Sequence, residues 1–189
     1  MTAPSGRTPF SSLVALVHAL ADTSKRLEKR ALLAGFLRDL GREEVPPAVH
    51  LIVGRIFAEA DERALNLGWA TVRKALSGTR QSALISEPLT ILEVSRTFGR
   101  IAEAHGADSM NARRRLLESL LGRASPEERE ILFREISGEM RIGVSEGVML
   151  EGIADAAGAD VESVRTAHMF LGDLGEVAGI ALFEGVTAL

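Results

Sequence analysis

The most specific stretch of this chain is Gly138-Glu-Met-Arg-Ile-Gly-Val-Ser-Glu-Gly-Val-Met-Leu150, and it ends a pattern that occurs twice. Leu32-Leu-Ala-Gly-Phe-Leu37 matches Leu116-Leu-Glu-Ser-Leu-Leu121 at an offset of 84 residues, and Gly54 matches Gly138 at the same offset. Further matches at offsets of 81 and 75 residues fit insertions in the connecting loops. The sequence therefore predicts a duplicated module.

The module is predicted to be helical. Apolar residues recur at the spacing of one helix face, as in Phe10, Leu13, Val14 and Val17, and no segment alternates as a strand does. Helix starts are marked by residues that can accept a hydrogen bond from the first turn: Thr90, Ser125, Ser145 and Asp173.

These patterns predict an all-α fold, one compact domain of roughly ten short helices in two pseudo-symmetric repeats. The expected divisions of the single domain 1–189 are repeat 1 at about 10–77, a linker at 78–88, repeat 2 at about 89–158, and C-terminal helices at 160–189.

Composition excludes several classes of protein. The chain has no Cys, so neither a disulfide nor a thiolate ligand can form, which favours a reducing cytoplasm. The N-terminus lacks the pattern of a signal peptide, and no apolar run approaches the roughly 20 residues that span a bilayer. We expect a cytoplasmic protein with no membrane partner.

Charge is unevenly distributed along the chain. The formal net charge is −4, but residues 151–189 carry −6 and residues 1–150 carry +2. Two basic clusters, residues 25–39 and 113–123, each have a net charge of +3 and occupy equivalent places in the two repeats. They favour an anionic partner in spite of the overall charge.

No familiar catalytic or metal-binding motif occurs in the sequence. The chain lacks the P-loop, dinucleotide-binding and serine-hydrolase motifs. Glu127 and Glu128 look like helix-start charges rather than a catalytic pair. The four His are widely separated without a second ligand at metal-binding spacing, and are expected at helix surfaces or boundaries: His18, His50, His105 and His168. We expect no catalytic residue and no metal site.

Helix starts that combine Ser, Gly and basic residues point to a phosphate-bearing ligand. The first N–H groups of a helix lack internal partners and lie at the positive end of its dipole, so they attract phosphate. Gly138 and Gly143 would let the backbone approach a ligand, and Arg141 between them can clamp a phosphate or reach along a groove. Ser145 is predicted to cap the helix that follows.

Equivalent features recur elsewhere. Asn66 and Gly68 occupy the places of Arg141 and Gly143 in repeat 1, with Lys74 close behind. Ser24 and Ser109 each precede a basic segment, and we expect both to cap its helix. Four such helix ends from two pseudo-symmetric halves could follow the two strands of a duplex. The predicted contacts to DNA are Ser24, Arg26, Lys29, Asn66, Gly68, Ser109, Arg113, Arg114, Gly138, Arg141, Gly143 and Ser145.

Two other interpretations stay open from the residues alone. Basic helix starts are common on surface helices, and glycines also end helices, so neither cluster is specific by itself. A helical-repeat scaffold that binds another protein is the main alternative. An enzyme with an unfamiliar site is a third. Recurrence of the same features in both halves favours DNA.

One pattern resembles a known family. Leu89-Thr-x-x-x-Val94-x-x-x-Phe98-x-x-Ile101-Ala-x-x-x-Gly106-x-x-Ser109-x-x-x-Arg113, followed by Gly138-Glu-Met-Arg-Ile-Gly143, is similar to the N-terminal DNA-binding domain of archaeal and bacterial ATP-dependent DNA ligases. The likeness covers most of the chain and includes Gly172-Asp-Leu-Gly-Glu-Val-Ala178. The sequence departs from the family after Gly68, where the family has a longer segment, so Lys74 is not matched.

The resemblance implies a non-catalytic domain that grips the minor groove and phosphate backbone of duplex DNA, preferentially nicked, during strand joining in replication, repair or recombination. Gly138, Arg141 and Gly143 would lie in the groove, with Arg26, Lys29, Ser109 and Arg113 nearer the phosphates. The resemblance also implies that the adenylation and OB domains of the same ligase are partners of this domain. It further implies that the protein is associated with the nucleoid.

The catalytic half of such a ligase is not expected in this chain. In the family, a Lys in a K-x-D-G motif takes AMP from ATP, and none of Lys25, Lys29 and Lys74 is followed by that pattern. The sequence stops at Leu189, about where the family passes toward its adenylation domain. We expect the full-length parent to be the enzyme, with ATP and Mg²⁺ bound by its catalytic domain and no cofactor here.

Overall fold

A computed structural model gives the fold of residues 8–78, 87–140 and 142–185. These residues form ten helices and no β-strand, so the all-α prediction is confirmed. The helices are α1 (Phe10–Asp22), α2 (Arg26–Arg38), α3 (Val45–Ile52), α4 (Trp69–Gly78), α5 (Ile91–Glu103), α6 (Ser109–Arg123), α7 (Pro126–Ser137), α8 (Glu146–Ala157), α9 (Val161–Leu171) and α10 (Leu174–Phe183).

Four of the six predicted helix caps are present. Thr90 and Ser125 form complete capping boxes with the glutamate three residues later, and Pro126 occupies the first helical position after Ser125. Ser145 and Asp173 each accept a hydrogen bond from the backbone N–H three residues on. Local sequence is sufficient to set these starts because each cap satisfies donors that the helix cannot satisfy itself.

The predictions of Ser24 and Ser109 as caps were wrong. The residue before α2 is Lys25, which makes no capping bond, and Ser24 is exposed one position earlier. Ser109 is already the first residue of α6. The preceding Asp108 does not cap either, because its carboxylate accepts hydrogen bonds from the side chains of Asn111 and Arg115 instead.

The helices of the two predicted repeats are interleaved. The most extensive contact joins α2 to α8, and α4 packs against α6, so the second helix of each half meets the fourth helix of the other half. Helix α10 packs on α3 and α8, and α1 touches α2 and α7. The pseudo-symmetry of the repeats and their boundaries stay predictions, and residues 79–86 of the predicted linker lie outside the described residues.

The starts of the two halves are joined directly. The backbone N–H of Phe10 donates to the carbonyl of Leu89 at 2.7 Å, and Pro9 and Thr90 form an isolated bridge. The buried carboxylate of Glu44 accepts hydrogen bonds from both the backbone N–H and the hydroxyl of Thr8. Phe10 and the other large buried side chains share one hydrophobic core.

Among the described residues, no helix has the length and apolar character needed to cross a membrane.

Candidate nucleic-acid interface

The turn between α7 and α8 is built on glycines. Gly138 ends α7 in the left-handed conformation with φ of 70°, and Gly143 has φ of 65°. Ser145 then caps α8 by accepting from the N–H of Val148. Glycine adopts these φ values without the penalty that a Cβ imposes. The turn therefore presents the positive end of α8 at the surface, as the sequence predicted.

Lys29 holds this turn from inside the protein. Its ammonium donates to the carbonyls of Ile142, at 3.0 Å, and Gly143, at 2.8 Å, and the residue is only 7 % exposed. A buried charge bound to two carbonyls positions the backbone and cannot at the same time reach a phosphate. Lys29 is thus a positioning residue in the free domain, although it was predicted near phosphates.

Gly143 has an internal reason to be glycine. A Cβ added there would lie 2.7 Å from Nζ of Lys29, in addition to the strain of its positive φ. Gly138 has only the conformational reason, because no atom of the described residues lies within 4 Å of an added Cβ. Close approach of a ligand to either glycine stays a prediction.

The equivalent turn before α4 is held in a similar way. Asn66, exposed, has φ of 48°, and Gly68 directly precedes α4. The guanidinium of Arg113 donates to the carbonyls of Ala104 at 2.7 Å, Ile101 at 3.2 Å and Asn66 at 3.5 Å. Arg113 therefore links the turn to the C-terminal end of α5, where a cation is also favoured by the helix dipole.

The two turns come together in space. Gly54 lies against Met140, so that a Cβ at Gly54 would be 2.9 Å from Cβ of Met140. A groove of about 470 Å³ separates the segment 54–67 from the end of α7 and is lined by Asn66 and Gly138, among others. The structure thus brings predicted residues of both halves to one surface. Arg141 lies outside the described residues.

Most of the first basic cluster is engaged with α8. Arg26 binds Glu151 at 2.6 Å, and Arg30 binds Asp155 at 2.8 Å. The hydrogen bond from Arg26 lowers the pKa of Glu151, and the one from Arg30 lowers the pKa of Asp155. These two acids of α8 therefore face α2 and neutralise part of its basic cluster.

The second basic cluster is also largely paired. Arg114 lies 3.4 Å from Glu118, Arg115 lies 3.0 Å from Asp108, and Arg123 lies 3.1 Å from Glu93. These pairs are partly or fully exposed, so a polyanion can compete for their cations. Arg114 therefore remains a predicted contact to DNA.

Unpaired cations lie on other helices. Within the described ranges, the exposed side chains of Arg73, Lys74 and Arg100 make no hydrogen bond or ion pair. Arg73 and Lys74 belong to α4, which begins directly after Gly68. Sequence reasoning singled out Lys74 only weakly and missed Arg73. The sequence signal for Arg73 was its position about one helical turn beyond Gly68.

The histidines make no metal site in the part of the chain that the structure describes, where no group of three metal-binding side chains is found. His50 pairs with Asp173 at 2.9 Å. Burial opposes ionisation of Asp173, but the backbone N–H of Glu176 and the nearby His50 lower its pKa overall. This pair joins the end of α3 to the start of α10.

Comparisons with known proteins decide the family. The family model described as DNA ligase N terminus matches residues 9–79 and 77–154, more than half of the chain. The chain belongs to the family of DNA ligase N-terminal domains. The resemblance to the archaeal and bacterial ATP-dependent branch is thereby confirmed.

Relatives of this ligase domain occur in archaea and bacteria. It is 37 % identical over 191 residues to DNA ligase 1 of Korarchaeum cryptofilum, covering 89 % of this chain and 35 % of that protein. A probable DNA ligase of Anaeromyxobacter sp. is 40 % identical over 180 residues, covering 95 % of this chain and 34 % of that protein. The chain thus spans about a third of the length of these relatives.

One residue of the ligase domain was missed by sequence reasoning. Glu135 is 3 % exposed, and neither of its carboxylate oxygens has a hydrogen-bond partner among the residues that the structure describes. A signal for its burial existed, because it continues the inward face of α7 marked by Glu128, Ile131 and Leu132.

Proposed function

We propose that this ligase domain binds duplex DNA through the two turns that precede α4 and α8, gripping the minor groove and the phosphate backbone without catalysis. The supporting observation is that each turn is held by a basic residue from the other half, Lys29 in one case and Arg113 in the other. Both turns lead into helix N-termini, which favour phosphate.

These internal contacts preorganise the two turns for binding. A turn that is already fixed loses little conformational entropy on binding, so more of the interaction energy contributes to affinity. Glycine at 143 serves the same end, because it permits the Lys29 contact. Arg141, Arg73 and Lys74 would then supply charge beside the turns, while Asn66 and Gly68 would shape the surface.

Nicked DNA is the proposed preferred form, and strand joining in replication, repair or recombination the proposed process. These follow from the family rather than from any feature of the turns. Adenylation and OB domains of a complete ligase would be the partners of this domain, with ATP and Mg²⁺ bound there. Together they would enclose the duplex that this domain positions.

The test is a titration of a fluorescent nicked duplex across a salt series, with an intact duplex of the same sequence alongside. Arg141→Ala should weaken binding to all sequences about equally and reduce the salt slope by about 0.9, as loss of one phosphate contact would. Arg165→Ala is the matched control, because Arg165 is paired with Glu162 on α9.

Unchanged affinity in a folded Arg141→Ala variant would contradict the minor-groove assignment. Absence of wild-type binding to either duplex at low salt would contradict DNA binding altogether and favour the helical-repeat protein scaffold.

A further inference from the structure

Glu135 stands apart from the other buried acids of the described residues. Glu44 accepts three hydrogen bonds, two from Thr8 and one from the backbone N–H of Gly41, and Glu128 accepts the N–H of Ser125 in its capping box. Asp173 accepts the N–H of Glu176 and pairs with His50. Both oxygens of Glu135, by contrast, have no partner.

An isolated carboxylate in an apolar interior is strongly disfavoured, so such a group is usually neutral. Burial raises the pKa of Glu135 well above its ordinary value. Even as a neutral acid, its hydroxyl donor and carbonyl acceptor lose the hydrogen bonds that water would give them. Buried polar atoms without partners are rare in proteins, and a bound ligand is one explanation for them.

The surroundings of Glu135 define what such a ligand would be. The residue lines the groove of about 470 Å³ between segment 54–67 and α7. The apolar walls come from Ile56, Phe57, Leu67 and Ile136. These side chains would cover a short hydrocarbon chain, and Glu135 is the acidic residue among those that line the groove.

The cation that lines the groove, Arg63, is already paired with other acids. Arg63 binds Asp61 at 2.7 Å and Glu103 at 2.7 Å, and its guanidinium lies 4.8 Å from the ring centroid of Phe57. It has no hydrogen bond to Glu135. The groove therefore contains one acid whose charge no described side chain matches.

We propose that this groove binds an alkylammonium group, with the Glu135 carboxylate as its counter-charge. The ammonium has three N–H donors, enough for both carboxylate oxygens, and its methylene stem would lie on the apolar walls. An anion would find no free donor at Glu135. The ammonium could belong to a lysine side chain or to a free polyamine, since both have the same chemistry.

Binding of this cation is linked to pH. The ammonium favours the ionised carboxylate of Glu135, so binding to a protein in which Glu135 is protonated releases a proton. Affinity should therefore rise with pH as Glu135 ionises. Affinity should fall again when the amine loses its own proton, at about pH 10.4, the ordinary pKa of a lysine side chain. The other charged groups facing the groove, Arg63 with Asp61 and Glu103, already form a mutual network. From α1, His18 lies at the opposite end of α7, beside Glu127.

The probe is n-butylamine, added to the isotope-labelled chain while backbone amide shifts are followed by NMR between pH 6 and about 9, where the amine stays charged. We expect saturable shifts at Leu67, Ile136 and Gly138, with tighter binding at higher pH. n-Butanol, which has the same stem and no charge, should cause none of them. Spermidine and a capped lysine then distinguish the two sources, according to which binds more tightly.

Glu135→Gln keeps the shape of the side chain and removes its charge, so it should weaken butylamine binding by about tenfold or more. Glu130→Gln is the matched control, because Glu130 lies on the same helix, is exposed and pairs with Arg134. Equal binding of butanol, unchanged binding in Glu135→Gln, or no pH dependence in the wild type would each overturn the proposal. No DNA is present in the measurement, so its failure is distinct from failure of DNA binding.

Discussion

Lys29 and Gly143 depend on each other. The ammonium occupies the space that any side chain at 143 would need, and in return it fixes the carbonyls of the turn. A glycine whose place in a turn suggests contact with a ligand can therefore be required first by an internal contact. The same residue can serve both purposes, because a turn must be shaped before it can be recognised.

Gly143→Ala should destabilise the domain by about 1–3 kcal/mol, because the new Cβ is strained at this φ and would collide with Nζ of Lys29. Urea unfolding measures the change. Gly35→Ala is the control, since Gly35 lies in exposed helix interior with nothing within 4 Å of an added Cβ. That variant should gain about 0.5–1 kcal/mol from helix propensity. Equal effects of the two substitutions would contradict the steric account of position 143.

Residue-scale prediction succeeded where the cause was local. Thr90, Ser125, Ser145 and Asp173 cap helices because each has a free donor three residues on. It failed at Ser24, because Lys25 stands between it and α2, and at Ser109, because that residue is already the first of α6. Burial of Glu135 could have been suspected from helix periodicity, but its lack of a partner depends on the segment 54–67, which is distant in sequence.

At the scale of elements, the contact between α2 and α8 combines packing with charge. Leu33 of α2 is fully buried, and a Cβ added at Gly152 of α8 would lie 2.8 Å from Cβ of Leu33. The ion pairs of Arg26 and Arg30 join the same two helices. Helix composition showed a basic α2 and an acidic α8, but which helix pairs with which is a long-range property that periodicity does not encode.

Arg30→Ala should lower the urea midpoint at neutral pH, and the difference from wild type should shrink in acid. The pKa of Asp155 is lowered in the folded protein, so its contribution is present above its unfolded pKa of about 3.8 and is lost as the pH falls through the folded value. Unfolding curves between neutral pH and the acid limit of reversibility test this. Arg165→Ala, on the far helix α9, should show a much smaller neutral-pH effect, because its pair with Glu162 is exposed. A constant difference for Arg30→Ala across the pH range would contradict the role of Asp155.

At the scale of the molecule, the fold uses its cations mainly to hold itself together. Arg26, Arg30 and Arg123 are paired with acids, and Lys29 and Arg113 are bound to carbonyls. Formal charge counted along the sequence therefore overstates the charge available to a polyanion. The sequence identified the family through its motifs, whereas the free cations could be found only after the helices were packed.

The isolated domain should show a shallow dependence of DNA affinity on salt, because few cations are free. Arg73→Ala should reduce that slope by about 0.9, as expected for one phosphate contact. Fluorescence anisotropy across a salt series measures both slopes. Arg42→Ala, which removes a cation already paired with Glu184, should leave the slope nearly unchanged. An identical slope for wild type and Arg73→Ala would place α4 away from the DNA.

The interleaving of the two halves also affects how the domain folds during synthesis. Arg26 and its partner Glu151 are separated by 125 residues, so α2 leaves the ribosome long before the helix that covers it. At ordinary elongation rates of 5–20 residues per second, the delay is roughly 6–25 s. Throughout that interval the face of α2 that meets α8 in the folded domain has no permanent cover. A nascent chain of this domain should therefore fold late, as one unit, once α8 has emerged.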